Sequence, residues 1–138
     1  MDSGLSFTLA VHDLDQTEHF YADILQMPVE RLIPSAGHPP VLLLRWGGTA
    51  VLFREIPVLE ALHPALFQNL DRHPLGVGVS LDFSVSNLAA VRRTIDRRKM
   101  HILYELEDRQ FDRAELWLHD PNGYLVILNQ ERNTGEDR

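Results

Sequence analysis

The sequence contains an internal repeat, and a repeat limits the possible folds of this chain more than any of its other features. Residues 7–27 read FTLAVHDLDQTEHFYADILQM, and residues 81–101 read LDFSVSNLAAVRRTIDRRKMH. At an offset of 74 residues, Val11 aligns with Val85 and Leu14 aligns with Leu88. Each copy has a short alternating strand, a polar residue and then a helical pattern. The chain is therefore predicted to contain one supersecondary unit twice.

Each predicted helix begins at a polar residue. In the first copy, Asp15 and Glu18 have the spacing of a capping box, and Pro28 is expected to end the helix. In the second copy, Ser86 or Asn87 is expected to cap the helix. The basic residues of this second helix fall on the side opposite its apolar positions and predict a solvated surface, not a binding patch: Arg92, Arg93, Arg97, Arg98 and Lys99.

Three strand patterns follow each helix, and the last two of each copy are joined by a turn. The turns are Gly47-Gly48 and Asp120-Pro121-Asn122-Gly123, whose residues favour the backbone angles of tight turns. The predicted strands are Val29–Ile33, Val41–Trp46 and Thr49–Ile56 in the first copy and His101–Leu106, Ala114–His119 and Tyr124–Gln130 in the second. The order β-α-β-β-β, twice, predicts an α+β fold of two tandem βαβββ modules.

The length of 138 residues fits one ordinary domain. We predict a single domain over residues 1–138, built of module 5–56 and module 76–131. The linker 57–75 contains Pro57, Pro64 and Pro74, which exclude a continuous strand and favour a short helix with a loop.

Charge and composition exclude several classes of protein. The net charge of −7 argues against a nucleic-acid or anionic-membrane partner, since either needs a basic surface. The chain has no cysteine, so a disulfide scaffold, a thiolate nucleophile and a cysteine-ligated metal are excluded. The apolar stretches are too short to span a bilayer, and the opening residues do not have the pattern of a secretion signal. We therefore expect a cytoplasmic protein with no membrane partner.

Several motifs resemble the glyoxalase, bleomycin-resistance and extradiol dioxygenase proteins, the vicinal oxygen chelate superfamily. They are the opening Val11-His12-Asp13-Leu14, the pair Phe20-Tyr21 and the closing run Asp-Pro-Asn-Gly-Tyr-Leu-Val-Ile-Leu at 120–128. With the repeat, the resemblance covers residues 5–131. It implies two modules whose curved mixed sheets surround a cleft, and a homodimer. The fold alone does not decide the chemistry, because it hosts several activities.

The enzymes of this superfamily hold one divalent metal with His and Glu side chains. The resemblance places the corresponding positions on Ser6, Leu52, Ser80 and Ile127. Leucine and isoleucine cannot coordinate a metal, and a neutral serine hydroxyl is a poor ligand. No metal and no cofactor are therefore expected.

Strand alternation predicts which side chains line the cleft. On the two opening strands, Ser6, Thr8, Ala10, Ser80, Asp82 and Ser84 are expected to face it. Its wall is extended by Leu42, Leu44, Trp46, Leu52, Arg54, Glu115, Trp117, His119, Leu125, Ile127 and Asn129. The predicted ligand contacts are Trp117, Asp82, Glu115, Trp46, His119, Arg54, Ser80 and Leu52, since tryptophans stack on planar rings and carboxylates attract cations.

Other roles for these residues stay open. Either tryptophan can belong to the core or to a dimer interface, and Asp82 can form an ion pair with Arg54 or Arg113.

The preferred hypothesis is a metal-free binding protein of the bleomycin-resistance type that sequesters an aromatic or cationic small molecule. A first alternative is a metal-dependent lyase, transferase or dioxygenase that holds Ni, Zn, Mn or Fe with displaced ligands: His12, Glu55, Glu115 or His119. A second alternative is a scaffold or regulatory module whose interior is filled by its own side chains.

Overall fold

The computed structural model describes residues 4–131. The chain divides into two compact units, Met1–Leu75 and Gly76–Arg138. Each unit contains a four-stranded mixed sheet, and both sheets have the same topology, with the first strand of the unit at one edge and parallel to the last. The α+β class and the two βαβββ modules are confirmed.

The first unit contains these elements: β1 (Leu5–Val11), α1 (Leu14–Glu18), a π-helical continuation (His19–Ile24), β2 (Val29–Leu32), β3 (Val41–Trp46), β4 (Thr49–Glu55), α2 (Ile56–Leu62), α3 (Pro64–Phe67) and a 3₁₀ turn (Leu70–Arg72). Its strand order is β1-β4-β3-β2. The linker is thus mostly helical and begins directly after β4.

The second unit contains β5 (Ser80–Ser84), α4 (Leu88–Arg97), β6 (Tyr104–Asp108), β7 (Arg113–His119) and β8 (Leu125–Glu131). Its strand order is β5-β8-β7-β6. The strand predicted at His101–Leu106 begins three residues later than expected, and residues 101–103 connect it to α4.

The first helix, with its π-helical continuation, packs on one face of the first sheet, and α4 packs on one face of the second. In the first unit, the ring of Tyr21 stacks on that of Phe53 with 5.0 Å between centroids, and both side chains are fully buried. In the second unit, Leu88 N–H donates to Gln130 Oε1 at 2.7 Å and Arg92 Nε donates to Glu105 Oε2 at 2.8 Å. These contacts define the helix face of each sheet, where burial of aliphatic and aromatic side chains stabilises the unit.

The cap of the first helix differs from the sequence-based prediction. The helix begins at Leu14, and Asp13 Oδ1 accepts from Gln16 N–H at 2.9 Å. Asp15 lies in the first turn and pairs with Arg31 instead. With Asp13 as the cap, Leu14 is the first residue of the helix, and its side chain is buried. In the second helix Asn87 Oδ1 accepts from Ala90 N–H, which confirms one of the two predicted caps.

The first helix also ends earlier than predicted. Its last residues form a π-helix, in which Leu25 N–H donates to Phe20 O at 3.0 Å. Gln26 then adopts φ 58°, the left-handed backbone that commonly follows a helix. Pro28 therefore lies beyond the end of the helix and does not cause it.

The two hairpin turns use different chemistry. The Gly47-Gly48 turn joins β3 to β4 with Trp46 paired directly to Thr49. In the second unit, Asp120 is buried and its Oδ1 accepts from Asn122 N–H at 2.8 Å and from Tyr124 N–H at 2.9 Å. The first turn depends on glycine at positive φ, and the second depends on a side-chain acceptor.

Within residues 4–131, every helix is too short or too polar to cross a membrane.

Candidate ligand-binding face

The second sheet carries a mixed aromatic and acidic row on the face turned away from α4, which we call its far face. The register of the sheet sets this row, since paired residues point to the same side. Trp117 pairs with Ile127 and with Tyr104, and Ile127 pairs with Asp82. Across the sheet the row reads Asp82, Ile127, Trp117 and Tyr104.

Neighbouring rows place the other predicted contacts of the second unit on the same face. One row contains Ser80, Leu125 and His119, and the row on the other side contains Ser84, Asn129 and Glu115. The five predicted contact residues of this unit therefore share the far face: Ser80, Asp82, Glu115, Trp117 and His119.

Trp117 is held in place by two neighbours. Its indole N–H donates to Glu115 Oε1 at 2.9 Å. The ring of Tyr104 meets it edge-on, with 5.1 Å between centroids and 64° between planes. Both contacts restrict the indole, and the half-buried ring keeps a surface for a further partner.

Asp82 lies at the exposed end of the row. Its Oδ1 accepts from the Ser80 hydroxyl at 2.8 Å, and water reaches the rest of the carboxylate. Because the carboxylate of Asp82 keeps most of its hydration, it has only a small desolvation penalty when no ligand is bound. Asp82 lies two strands, about 10 Å, from Trp117, so its carboxylate can attract a positive group on a ligand whose ring lies on the indole.

The first sheet carries different residues on its far face, the side turned away from α1. Leu52 pairs with Thr8 and with Leu43, and Leu43 pairs with Glu30. Arg54 lies on the same side and pairs with Ala10. The predicted contacts Leu52 and Arg54 therefore share a face.

Trp46 does not share that face. Across the Gly47-Gly48 turn it pairs with Thr49, so Leu42, Leu44 and Trp46 lie on the side of Phe53, the helix face. Leu42 and Leu44 are fully buried there. The prediction that these three residues extend the same wall as Leu52 and Arg54 is wrong, because a shift of one residue in register reverses the side.

Comparison with known proteins supports the fold. No protein-family model matches the sequence, and no curated protein matches it either. Among solved structures, a glyoxalase/bleomycin resistance protein/dioxygenase from Nocardioides is 12% identical, with a TM-score of 0.65 over 98% of this chain and 87% of that one. The chain has the fold of the glyoxalase/bleomycin resistance/dioxygenase proteins.

Two further structures have the same fold. A lactoylglutathione lyase from Agrobacterium tumefaciens is 14% identical, with a TM-score of 0.59 over 94% of each chain. A virulence protein from Salmonella typhimurium is 18% identical, with a TM-score of 0.61 over 95% of this chain and 98% of that one. Identities this low establish the fold alone, and the chemistry has to be argued from the side chains.

The side chains do not fit the metal that the enzymes of this fold hold. The four positions implied by the resemblance lie on far faces: Ser6 and Leu52 in the first sheet, Ser80 and Ile127 in the second. Two of them are aliphatic, and the Ser80 hydroxyl already donates to Asp82. Among residues 4–131, no three His, Asp or Glu side chains are grouped closely enough to bind a metal ion.

Three of the four displaced ligands are not placed to share an ion within their unit: Glu55, Glu115 and His119. Glu55 Oε2 accepts from the backbone N–H of Leu14 at 3.0 Å, so this carboxylate serves the start of α1. Glu115 and His119 are four residues apart in β7, which separates their Cα atoms by about 13 Å. Parallel side chains at that distance cannot both reach one ion at the ~2.0–2.2 Å that His and Glu ligands require.

A concavity lies on the helix face of the second unit, between α4 and strands β6 and β7. It encloses about 460 Å³, and its lining includes Asn87, Arg92, Glu105, Glu107, Ala114 and Gln130. The hydrogen bond from Arg92 to Glu105 raises the pKa of Arg92. The concavity is a competing location for a small molecule, and experiments on the far face need a control for it.

Two residues of the far face were missed in the sequence. The sequence predicts a strand at Tyr104 but not the side on which its ring lies, and the pairing with Trp117 puts it in the central row. Arg113 was considered only as a partner for Asp82. The hairpin joining β6 to β7 would have revealed both, because its register sets which residues lie opposite each other.

Proposed function

We propose that this chain is a binding protein of the glyoxalase/bleomycin-resistance type that holds an aromatic small molecule, cationic ones included, without changing it chemically. The observation that supports this most is the far-face row in which Trp117 and Tyr104 lie in line with the carboxylate of Asp82. The ligand's ring stacks on the indole, and a positive group on the ligand lies toward the carboxylates.

The expected affinity comes mainly from the indole. A preorganised aromatic ring loses little conformational entropy on binding, and stacking or a cation–π contact adds about 0.5–2 kcal/mol. Glu115 holds the indole orientation through its hydrogen bond, so it acts as a positioning residue. Ser80 does the same for Asp82.

The proposal includes binding without a metal or a cofactor. This part is supported by the side chains at the four positions where the enzymes hold their metal. Aliphatic and hydroxyl groups stand there in place of imidazoles and carboxylates: Ser6, Leu52, Ser80 and Ile127. Protein purified without chelator should contain far less than one equivalent of Ni, Zn, Mn or Fe by elemental analysis. A stoichiometric metal retained through dialysis would overturn this part of the proposal.

A neutral aromatic probe tests the site. N-phenylnaphthylamine becomes fluorescent in apolar sites, so its affinity can be titrated directly. Trp117→Leu should weaken its binding at least tenfold, a loss of about 1.4 kcal/mol. Trp46→Leu is the matched control and should leave the affinity within about twofold, because Trp46 lies on the helix face.

A further control separates binding on the far face from binding in the concavity beside α4. Ala114→Leu adds bulk to the concavity beside α4 and should not change probe affinity. Loss of binding in Ala114→Leu with full binding in Trp117→Leu would move the site to the helix face and refute the proposal. Circular dichroism of each variant checks that it is folded.

We also propose that the protein works as a homodimer. The edge strand β1 exposes apolar side chains, with Leu5 62% and Phe7 47% exposed. An unpaired apolar edge favours association with another chain. Native mass spectrometry of the purified protein should report twice the chain mass, and a monomer at micromolar concentration would contradict this.

A further inference from the structure

Arg113 has an unusual environment at the start of β7. It lies two residues before Glu115 and four before Trp117, so its side chain belongs to the far face. Its Nε atom is buried and donates no hydrogen bond within residues 4–131. Among the side-chain nitrogens and oxygens of those residues, it is the buried atom left without a partner.

Three carboxylates of the far face have other partners, and a fourth acidic residue, Glu131, pairs with Arg113 in the register of β8. Asp108 lies directly across from Arg113 in β6, and its Oδ1 accepts from Gln110 N–H at 3.1 Å and from Phe111 N–H at 3.3 Å in the β6–β7 turn. Glu115 Oε1 accepts the indole N–H of Trp117. Asp82, two strands away from β7, accepts from Ser80. The ion pair of Asp82 with Arg113 considered from the sequence is thus not formed.

An unpaired guanidinium N–H is costly. A buried donor without an acceptor loses its hydration without gaining a hydrogen bond, and the loss is larger when the group is charged. A ligand oxygen that accepts this hydrogen removes the penalty and gains a charge-assisted bond. The Nε and one Nη of arginine together form a planar fork that matches two oxygens of a carboxylate, sulfonate or phosphate.

We propose that Arg113 recognises an acidic group of the ligand, so the ligand class is an aromatic compound that carries an oxyanion. This inference rests on the proposed function, since it takes the ring to be stacked on Trp117. The Cα atoms of Arg113 and Trp117 are about 13 Å apart along β7. Because the arginine side chain is long, its guanidinium can lie closer than this to a ring stacked on the indole. The acidic group therefore lies beyond the ring, toward the start of β7, and a positive group would lie toward Asp82.

A matched pair of probes tests the inference. Anilinonaphthalene sulfonate has the same aromatic skeleton as N-phenylnaphthylamine and adds one sulfonate. The unmodified protein should bind the sulfonate about tenfold more tightly than the neutral probe. Arg113→Gln should abolish this preference and leave the affinity for the neutral probe unchanged.

Two further variants separate a specific contact from general charge. Arg93→Gln removes the same charge from the exposed side of α4 and should keep the preference. Arg113→Lys keeps the charge but has no donor at the buried Nε position, so it should lose most of the preference. Full preference in Arg113→Lys, or equal loss in Arg93→Gln, would contradict the assignment of Nε.

The two proposals fail in different ways. If neither probe binds, or if Trp117→Leu does not weaken the neutral probe, the proposed function itself is wrong. If the neutral probe depends on Trp117 but the sulfonate preference is unaffected by Arg113→Gln, only the role of Arg113 is wrong.

Discussion

The two sheets have the same strand order, but equivalent positions on their far faces carry different side chains. In the first sheet the central row reads Thr8, Leu52, Leu43 and Glu30, and in the second it reads Asp82, Ile127, Trp117 and Tyr104. An aliphatic pair at the centre of one row corresponds to an aliphatic–aromatic pair in the other. A hydroxyl at the end of one corresponds to a carboxylate.

The helix faces do not diverge in this way. Leu42 and Phe53 of the first sheet, and Leu116 and Leu128 of the second, are register pairs and are all fully buried. Burial of apolar area stabilises each unit through these faces, so their chemistry is constrained. The far face of the second sheet is free to specialise, and it is there that we place the ligand.

The largest expected effects are on stability, and they should be similar in the two units. Phe53→Ala removes a fully buried ring that stacks on Tyr21 and should lower the free energy of unfolding by about 3–5 kcal/mol. Leu128→Ala should cost about 2–5 kcal/mol in the second unit. Urea denaturation measures both, and a loss below ~1 kcal/mol at either position would break the equivalence of the helix faces.

Substitutions in the two hairpin turns should lower the free energy of unfolding by clearly different amounts, and these effects are smaller than those in the core. Asp120→Ala leaves the N–H groups of Asn122 and Tyr124 without their acceptor and should cost about 2–4 kcal/mol. Gly47→Ala, at φ 58° and with open space around it, should cost only about 1 kcal/mol. Thermal unfolding compares the two variants. A larger loss in Gly47→Ala would show that the first hairpin, not the second, depends more on its turn.

Removing the capping side chain of either helix should lower the free energy of unfolding by nearly the same amount. Asp13→Ala and Asn87→Ala each remove a side-chain acceptor at the first turn of a helix, and each should cost about 0.5–2 kcal/mol. Asp15→Ala is the control for the first helix, since Asp15 does not cap it. If Asp15→Ala is more destabilising than Asp13→Ala in urea denaturation, the assigned cap is wrong.

The smallest expected effect separates the two far faces by charge. Asp82→Asn should weaken binding of ethidium, a planar aromatic cation, about twofold to fivefold, because the carboxylate is exposed and its attraction is screened. Glu30→Gln removes the same charge from the equivalent row of the first sheet and should have no effect on ethidium. Fluorescence titration at low salt makes the comparison, and equal effects would show that net charge alone matters.

The sequence predicted the second unit well for a physical reason. The residues of β5 and β7 alternate cleanly between apolar and polar, so Asp82 and Trp117 could be placed on one side before the pairing was known. The Asp-Pro-Asn-Gly turn also carries its own acceptor, which set the position of the hairpin.

The first unit was predicted less well because β3 is apolar on both sides. Val41, Leu42, Leu43 and Leu44 are all buried, so alternation carries no information there. Only the two-residue Gly47-Gly48 turn sets the register, and it pairs even-numbered residues of β3 with odd-numbered residues of β4. This register puts Trp46 on the same face of the sheet as Phe53. The unpaired Nε of Arg113 is a property of packing, and the sequence has no signal for it.

The two tryptophans allow the central claim to be tested in one experiment. A ¹H–¹⁵N spectrum of the protein should show two indole N–H signals, and Trp46→Phe assigns them. On titration with N-phenylnaphthylamine, the signal of Trp117 should move progressively while that of Trp46 stays in place. Binding of the probe with movement of the Trp46 signal alone, or of neither signal, would contradict a ligand site on the far face of the second sheet.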